Sequence, residues 1–410
     1  MAGMKQPDRL AEPPVCPPSA AGLPRRHFLA TVGLGSLAAA WSAGAGRAAD
    51  LRERARPWQP VSERKVRVGI VGYGVCRFGA QFGFQDHPNV EVVAVSDLFP
   101  DRRAGLMKAC RCDRSYESLE ELVRDPKIEA VFVATDAPSH ARHCRLVLEH
   151  GKHVMSAVPA ALGSVEDGER LEETVRRTGL KYMLAETSFY RADCHAMRVI
   201  YQAGGFGKLV YSEGEYFHHT PQPLDSYRKW RRGLPPMWYP THSTAYYIGV
   251  TGKRFTSVSA VGVPSANAFF QPGGNRYDNP FADEFAMFET SEGGASRMAV
   301  SWSVFRHVVE TGRVFGERGR MEGMQYWGAD EEQLPDISRP GLPPGVAPGG
   351  HGGSHGRLMN EFITAILEDR EPLVNIYEAL AMTIPGIIAH QSALRGGERL
   401  KIPQYERPAA

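Results

Sequence analysis

The run KVRVGIVG (65–72), continued by Tyr-Gly74-Val-Cys-Arg77-Phe-Gly79, constrains the fold of this chain more than any other stretch. Val66, Val68 and Ile70 alternate, and the run then stays apolar into Gly72, the pattern of a strand buried inside a sheet. Gly72 permits a tight turn, and Gly74 lets backbone N–H groups approach a pyrophosphate. The third glycine of such a fingerprint is expected at position 77, which is Arg77; Gly79 serves instead if the turn is longer. A second apolar run, NVEVVAVSD (89–97), ends in Asp97, 25 residues after Gly72. That is near the spacing of a carboxylate that binds ribose hydroxyls. Further runs follow at 129–136, 152–158 and 181–187, with helical segments at 140–150 and 164–178 between them. Ser164-Val-Glu-Asp167 is a capping-box-like start and Gly179 a stop. Strands alternating with helices predict an α/β chain whose residues 64–186 form a Rossmann domain with a doubly wound parallel sheet. Its expected cofactor contacts are Gly72, Gly74, Gly79, Asp97, Arg102, Thr135, His140 and Pro159. Leu98 is not basic, which favours NAD. Arg102 and Arg103 lie close enough to hold a 2′-phosphate, which keeps NADP open.

The second half reads as a helix (191–203) and strands at 208–218, 255–263, 283–290, 295–303 and 310–317. The long loop 219–240 carries Tyr227, Arg231 and Trp238, which suit a carbohydrate site because aromatic faces stack on sugar rings and cations bind hydroxyls or carboxylates. The alternative is a solvated basic loop with buried tryptophans. Next comes YPTH (239–242), with Tyr239 and His242 at the start of a helix. Both are proton-transfer groups, and a histidine with an ordinary pKa of about 6.5 suits a general base at neutral pH. Tyr239 is then its hydrogen-bond partner or a second acid; the alternative is a packed corner. Glu213, Glu215 and His218 are read as alternating on one strand face, making His218 a ligand candidate if that face lines the cleft. The Pro/Gly-rich loop 335–356 reads as a connector, or as a lid with His351 or His355 against substrate. The last helix, 376–397, is expected to bend at Pro385. No HExxH pair or carboxylate cluster argues for a metal.

A balance of 48 basic against 46 acidic residues leaves no nucleic-acid footprint, and no apolar run reaches membrane-spanning length. Residues 1–49 resemble a twin-arginine export signal: Arg25-Arg26, Phe28-Leu29, an Ala/Gly-rich stretch to Trp41, then small residues. That predicts a periplasmic protein with residues 50–63 as a linker. Six cysteines include Cys16 in the signal; the other five match no zinc or redox spacing, and only Cys110 and Cys112 are near enough to suspect as a pair.

The stretches VATDAPSHARHCRLVLEHGKHV, LEHGKHVMSAVPAAL and GKLVYSEGEYFH (207–218) resemble the glucose–fructose oxidoreductase / inositol dehydrogenase (Gfo/Idh/MocA) family over roughly residues 64–405. The resemblance implies a Rossmann domain followed by an α/β domain (187–405) with an open, mostly antiparallel sheet, and substrate bound between them. Most members end the fourth strand in Glu-Lys-Pro. Here the residues are Ala157-Val158-Pro159, so the usual lysine is absent. VPAA, Tyr190 after ETSF, and YPTH are similar to a branch containing NAD-dependent glycosidases such as α-N-acetylgalactosaminidases. That likeness assigns catalysis to His242, Tyr239 and Tyr190, although the branch has glutamate where Ala157 stands. It implies an enzyme acting on a sugar or glycoside, by one of two routes. One is net dehydrogenation. The other is redox-neutral: a ring hydroxyl is oxidised, Tyr190 or Tyr239 removes the acidified C–H proton, the glycosidic group leaves, water adds and the hydride returns. Export to a compartment without free NAD favours the second. A reading of another class is a non-catalytic sugar-binding or sensing protein. The outer sheet face needs cover, so a homodimer or homotetramer is expected.

Overall fold

The computed structural model describes residues 48–329 and 333–407. The expected export signal therefore lies outside the described residues, apart from positions 48 and 49. Six parallel strands form the first sheet, in the spatial order Ser115–Tyr116, Val90–Ser96, Val66–Val71, Ala130–Val133, His153–Ser156, Tyr182–Leu184. In chain order this is 3-2-1-4-5-6, with its switch point between Val66–Val71 and Ala130–Val133. The central strands are mostly apolar and buried, with Arg67 and Glu91 near their starts exposed, because helices cover both faces of such a sheet. Ser115–Tyr116 was not expected; two residues are too short to show a period. Gly72 sits at φ 102°, where an added Cβ would lie 2.3 Å from the Ala134 carbonyl oxygen, so only glycine fits the turn. The helix after it is much shorter than the fingerprint leads one to expect: Phe78–Gln81, then a 3-10 turn at Phe84–Asp86. Gly83, at φ 79°, breaks it. Gly79 takes the third fingerprint glycine's packing role, since a Cβ there would meet the Gly72 oxygen at 2.4 Å. Ser164 caps Val165–Thr178 by accepting the Asp167 N–H at 3.1 Å.

The second sheet has nine strands, in the order Ala49–Asp50, Gln325–Gly328, Gly319–Glu322, Val308–Gly316, Leu209–His218, Ala295–Ser301, Phe281–Thr290, Phe255–Pro264, Leu400–Lys401. All neighbours are antiparallel except Leu209–His218 with Ala295–Ser301. The start of the segment 50–63, expected as a linker, is instead tied to the sheet edge. Ala49 pairs with Tyr326, the Leu51 N–H reaches the Met324 carbonyl at 2.8 Å, and Arg339 forks onto Glu53 with both bonds at 2.6 Å. The five cysteines among the described residues are free, so Cys110 and Cys112 form no disulfide. No described helix is long and apolar enough to cross a membrane.

Register corrects one expectation. Glu213 and Glu215 share a face and bind Arg297, whereas His218 falls on the opposite face with Tyr216. On that second face Glu310 stands opposite Tyr216, and Gly312 opposite Gly214. The helix Thr241–Thr251 lies against these strands so closely that a Cβ on Gly214 would come 2.0 Å from the Ser243 oxygen. Helix Ile376–Leu394 runs on through Pro385 as one element. Its His390 meets Glu284 at 2.6 Å, and the other oxygen of Glu284 accepts the Met237 N–H at 2.6 Å. This buried carboxylate thus pins the turn that leads into Tyr239.

These close approaches give opposite expectations for two glycines. Gly214→Ala should cost about 1–3 kcal/mol or more in chemical denaturation, because it drives helix Thr241–Thr251 off the sheet. Gly74→Ala, whose Cβ would meet nothing within 4 Å, should leave stability within about 0.5 kcal/mol. Equal losses would contradict the packing described.

Candidate active site

Two cavities meet where the C-terminal edge of the first sheet faces the second domain. The first follows the switch point and is lined by Gly72, Gly74, Asp97, Arg102, Thr135, His140 and Tyr227, among others. The second, of about 680 Å³, is lined by His218, Tyr216, His242, Glu310, Arg191 and His351 among others, a size suited to a small ligand. Cys76, Phe78, Ala157, Val158, Arg231 and Tyr239 line both. The two cavities therefore border one another along this shared wall.

Asp97 closes its strand with both oxygens held: Oδ2 accepts the Tyr73 N–H at 2.7 Å and Oδ1 the Phe99 N–H at 2.9 Å. The Arg102 guanidinium lies 4.5 Å above the Phe99 ring. His140 is buried between the Pro159 carbonyl (2.9 Å from Nδ1) and the Thr135 carbonyl (3.2 Å from Nε2). Burial lowers its pKa against those two contacts. Pro159 thus does not line the cavity; its carbonyl orients His140 instead. A dinucleotide fits the first cavity on two observations. Space for a backbone approach is open at Gly74, and Arg77, Arg102, Arg142, Arg228 and Arg231 line the walls to offset phosphate charge.

In the second cavity the sequence-based site is rearranged. His242 is buried, and its Nδ1–H donates to Glu186 Oε1 at 2.9 Å, with Glu310 Oε1 at 3.6 Å. Glu186 follows the last strand of the first sheet and also accepts the Ser188 N–H at 2.8 Å. Glu310 takes the hydroxyls of Thr187 at 3.1 Å and Ser188 at 2.5 Å. Burial pulls the His242 pKa down, but the two carboxylates outweigh it and raise it above the ordinary value. Burial pushes Glu310 up, and His242 together with the Ser188 hydroxyl more than reverses this. With Nδ1–H committed to Glu186, the other ring nitrogen, Nε2, is the proton acceptor of neutral His242. The Tyr216 ring packs on the imidazole at 4.5 Å. Tyr239 lines both cavities, and burial pushes its phenol up to about 12, so it stays protonated.

Two expected site residues lie elsewhere. Tyr190 is buried beside Phe189 and lines neither cavity; its backbone carbonyl accepts from Arg339 at 2.9 Å. Trp238 also lines neither; its ring fills the space over Gly163 and packs edge-on to Tyr277 and His390. Tyr227 faces the first cavity, not the second. Glu186, Glu310 and Arg191 were missed, whereas His351, named under the lid reading of its loop, does line the second cavity. Glu186, His242 and Glu310 place three ligand-type atoms within 4.8 Å of one another, so a carboxylate–histidine cluster exists where none was expected. The segment read as a connector or a lid supplies His351 to the cavity wall, as the second of those readings expects.

The carboxylates' hold on His242 can be read directly. Its imidazole should titrate above about 6.5 by NMR, and Glu186→Gln, which removes a negative charge, should move that titration down. A titration below 6.5 in the unaltered chain, or none of this movement, would contradict the geometry.

Comparison with known proteins bears on this arrangement. Residues 66–186 match the oxidoreductase family, NAD-binding Rossmann fold, GFO_IDH_MocA. A glycosyl hydrolase family 109 protein of Porphyromonas gingivalis is 32% identical over 165 residues, 38% of this chain and 35% of that protein. Another from Shewanella pealeana is 27% identical over 272 residues, 59% of each. This chain thus spans about a third of the length of the first of these relatives. The WlbA dehydrogenase of Bordetella pertussis, solved with NADH and UDP-GlcNAcA, superposes with a TM-score of 0.67 at 19% identity, covering 84% of this chain and 99% of that one. At that identity the likeness shows the shared two-domain fold. Over residues 66–186 the chain is thus similar to the NAD-binding Rossmann domain of this oxidoreductase family.

Proposed function

We propose that this chain is an NAD-dependent oxidoreductase acting on a sugar or glycoside, with the cofactor retained and recycled during glycoside cleavage. The observation that carries the reading is the shared wall. A cavity suited to a dinucleotide shares a wall with a second cavity in which a carboxylate-held histidine presents a free nitrogen. NAD bound in the first cavity supplies a hydride acceptor.

The chain's own residues do the rest. His242 Nε2 takes the proton of the hydroxyl being oxidised, and Glu186 and Glu310 stabilise the imidazolium that results. Tyr239, protonated, donates a hydrogen bond across the shared wall. Val158 and Ala157 contribute only shape, so the lysine of most relatives has no counterpart in this wall. For cleavage, the C–H proton next to the new carbonyl needs an acceptor. Tyr190 is out of reach and Tyr239 is held neutral, which leaves ionised Glu310. Asp97 supports NAD over NADP, because a carboxylate there repels a 2′-phosphate.

The names of the matched relatives support glycoside cleavage; a net dehydrogenase is the second reading, favoured by the name of the structural neighbour. Arg25-Arg26 supports export to the periplasm, where retention of cofactor is the physical answer to the lack of a free pool. Exposed Val261, Val263 and Met287 on the outer face of the second sheet support a homo-oligomer.

The full chain, purified and gel-filtered, is expected to show nicotinamide absorbance after borohydride reduction and to cleave aryl glycosides without added NAD. Asp97→Ala should emerge depleted of cofactor. Protein that emerges empty and consumes added NAD in step with product would replace recycling with net dehydrogenation.

A further inference from the structure

We propose that His351 is a second substrate-contacting residue of this site, a neutral imidazole whose Nε2–H donates a hydrogen bond to a sugar oxygen beside the one that His242 deprotonates. This rests on the sugar-oxidoreductase reading above and adds to it a residue that neither the fingerprint nor the resemblance supplied.

The backbone at this point is left-handed, as it is at seven other non-glycine residues among those described. His351 adopts φ 49°, a left-handed conformation disfavoured for any residue with a Cβ, between Gly349 (φ 79°) and Gly352 and Gly353 (φ 69° and 77°). Such strain persists where the surroundings hold a side chain in place, and it concentrates at functional sites. Here the strap lies against His355 on one side and Arg191 on the other, where added Cβ atoms on Gly349 and Gly352 would come within 2.7 and 2.8 Å. The imidazole it carries is nearly parallel to that of His242, with centroids 6.1 Å apart at 13°, and lines the same cavity. The Phe78 ring lies 5.9 Å away.

Hydrogen-bond directions then fix where the protons sit. The Gly350 N–H donates to His355 Nδ1 at 3.2 Å, so a neutral His355 carries its proton on Nε2. That Nε2 lies 2.8 Å from His351 Nδ1, which must therefore accept. A neutral His351 in turn carries its own proton on Nε2, which has no protein partner among the described residues. The charged and titratable groups facing His351 are His242, Glu310, Glu186, Arg191 and His355. Burial and the His242 charge hold His351 below its ordinary pKa, and burial with His351 beside it lowers His355 to about 4. Both rings are therefore neutral near pH 7.

His242 has the opposite tautomer, with Nδ1–H on Glu186 and a lone pair at Nε2. The two stacked rings thus offer one acceptor and one donor to the same cavity. As a hydroxyl proton passes to His242, electron density grows on the sugar oxygens, and a neutral imidazole donor stabilises it without giving up its own proton. His355 is a positioning residue: it touches no substrate and fixes the tautomer of His351.

The test uses the full chain. Long-range proton–nitrogen NMR of histidine-labelled protein at about pH 8 should place the protons of His351 and His355 on Nε2 and that of His242 on Nδ1. His355→Leu should release His351 into a mixture of tautomers. With cofactor content unchanged, His351→Leu should lower kcat on the cleaved glycoside about a hundredfold, and His351→Gln, which restores a donor, should recover part of it. All these residues place a Cβ at the same left-handed position, so backbone strain is held constant. A proton on Nδ1 of His351, an imidazolium at that pH, or an unchanged kcat in His351→Leu would each overturn the proposal while leaving the oxidoreductase reading intact. The expected tautomers in a chain that turns over no sugar would instead overturn that reading, and this role with it.

Discussion

Glu186 is fully buried, and the bond its Oε1 receives from His242 joins the end of the first sheet to the first turn of a helix in the second domain. Everything that gives the site its chemistry passes through this contact. It fixes which nitrogen of His242 faces the cavity, and it keeps the imidazolium acceptable in a place where burial alone would forbid it. Buried ion pairs are weak sources of stability, because desolvation offsets the Coulombic gain. This one is better read as a device that sets a tautomer. His242 and Glu310 work in opposite pH senses. The stability His242 gains from its raised pKa is present below its unfolded value and lost as pH rises through the folded one. Glu310, with a lowered pKa, contributes above its unfolded value and loses that as pH falls.

The packing around the pair serves its placement. Gly214 and Gly312 let helix Thr241–Thr251 sit directly on the sheet, against Ser243 and Tyr246, so that His242 reaches Glu310 from the strand below. Glu284, between His390 and the Met237 N–H, holds the turn before it. The edge strand at Ala49 and the Glu53–Arg339 fork fasten the segment that precedes the Rossmann domain, and the same Arg339 holds the Tyr190 carbonyl. In this way residues far from either cavity limit where the catalytic groups can lie.

The first domain was legible in the sequence because its signals are local. Strands buried on both faces show as unbroken apolar runs, and the glycine turn and Asp97 lie within one strand–turn–strand unit. The site was legible only in part. His242 and Tyr239 stand out as adjacent proton-transfer groups, but Glu186 lies 56 residues from His242, and Ser188 lies 122 from Glu310. No short-range period links them. Glu310 required the strand register, whereas His218 was misgrouped with Glu213 and Glu215 against the plain two-residue alternation of a strand. Tyr190 was carried by resemblance, and the backbone turns it into the core. Trp238 followed the rule that aromatic loop residues meet sugars, yet the space over Gly163 claims its ring. His351 was legible only as one of two readings of its loop, because glycines that look like a flexible connector act here as a shaped strap.

The most direct test of the central claim is a crystal structure of the full chain with its cofactor and a slowly cleaved glycoside. The account predicts a ring hydroxyl oxygen within hydrogen-bond distance of His242 Nε2, with Nδ1 still on Glu186 and the sugar against the wall formed by Ala157, Val158 and Tyr239. A sugar seated with no oxygen at His242, or an imidazole turned away from Glu186, would contradict it.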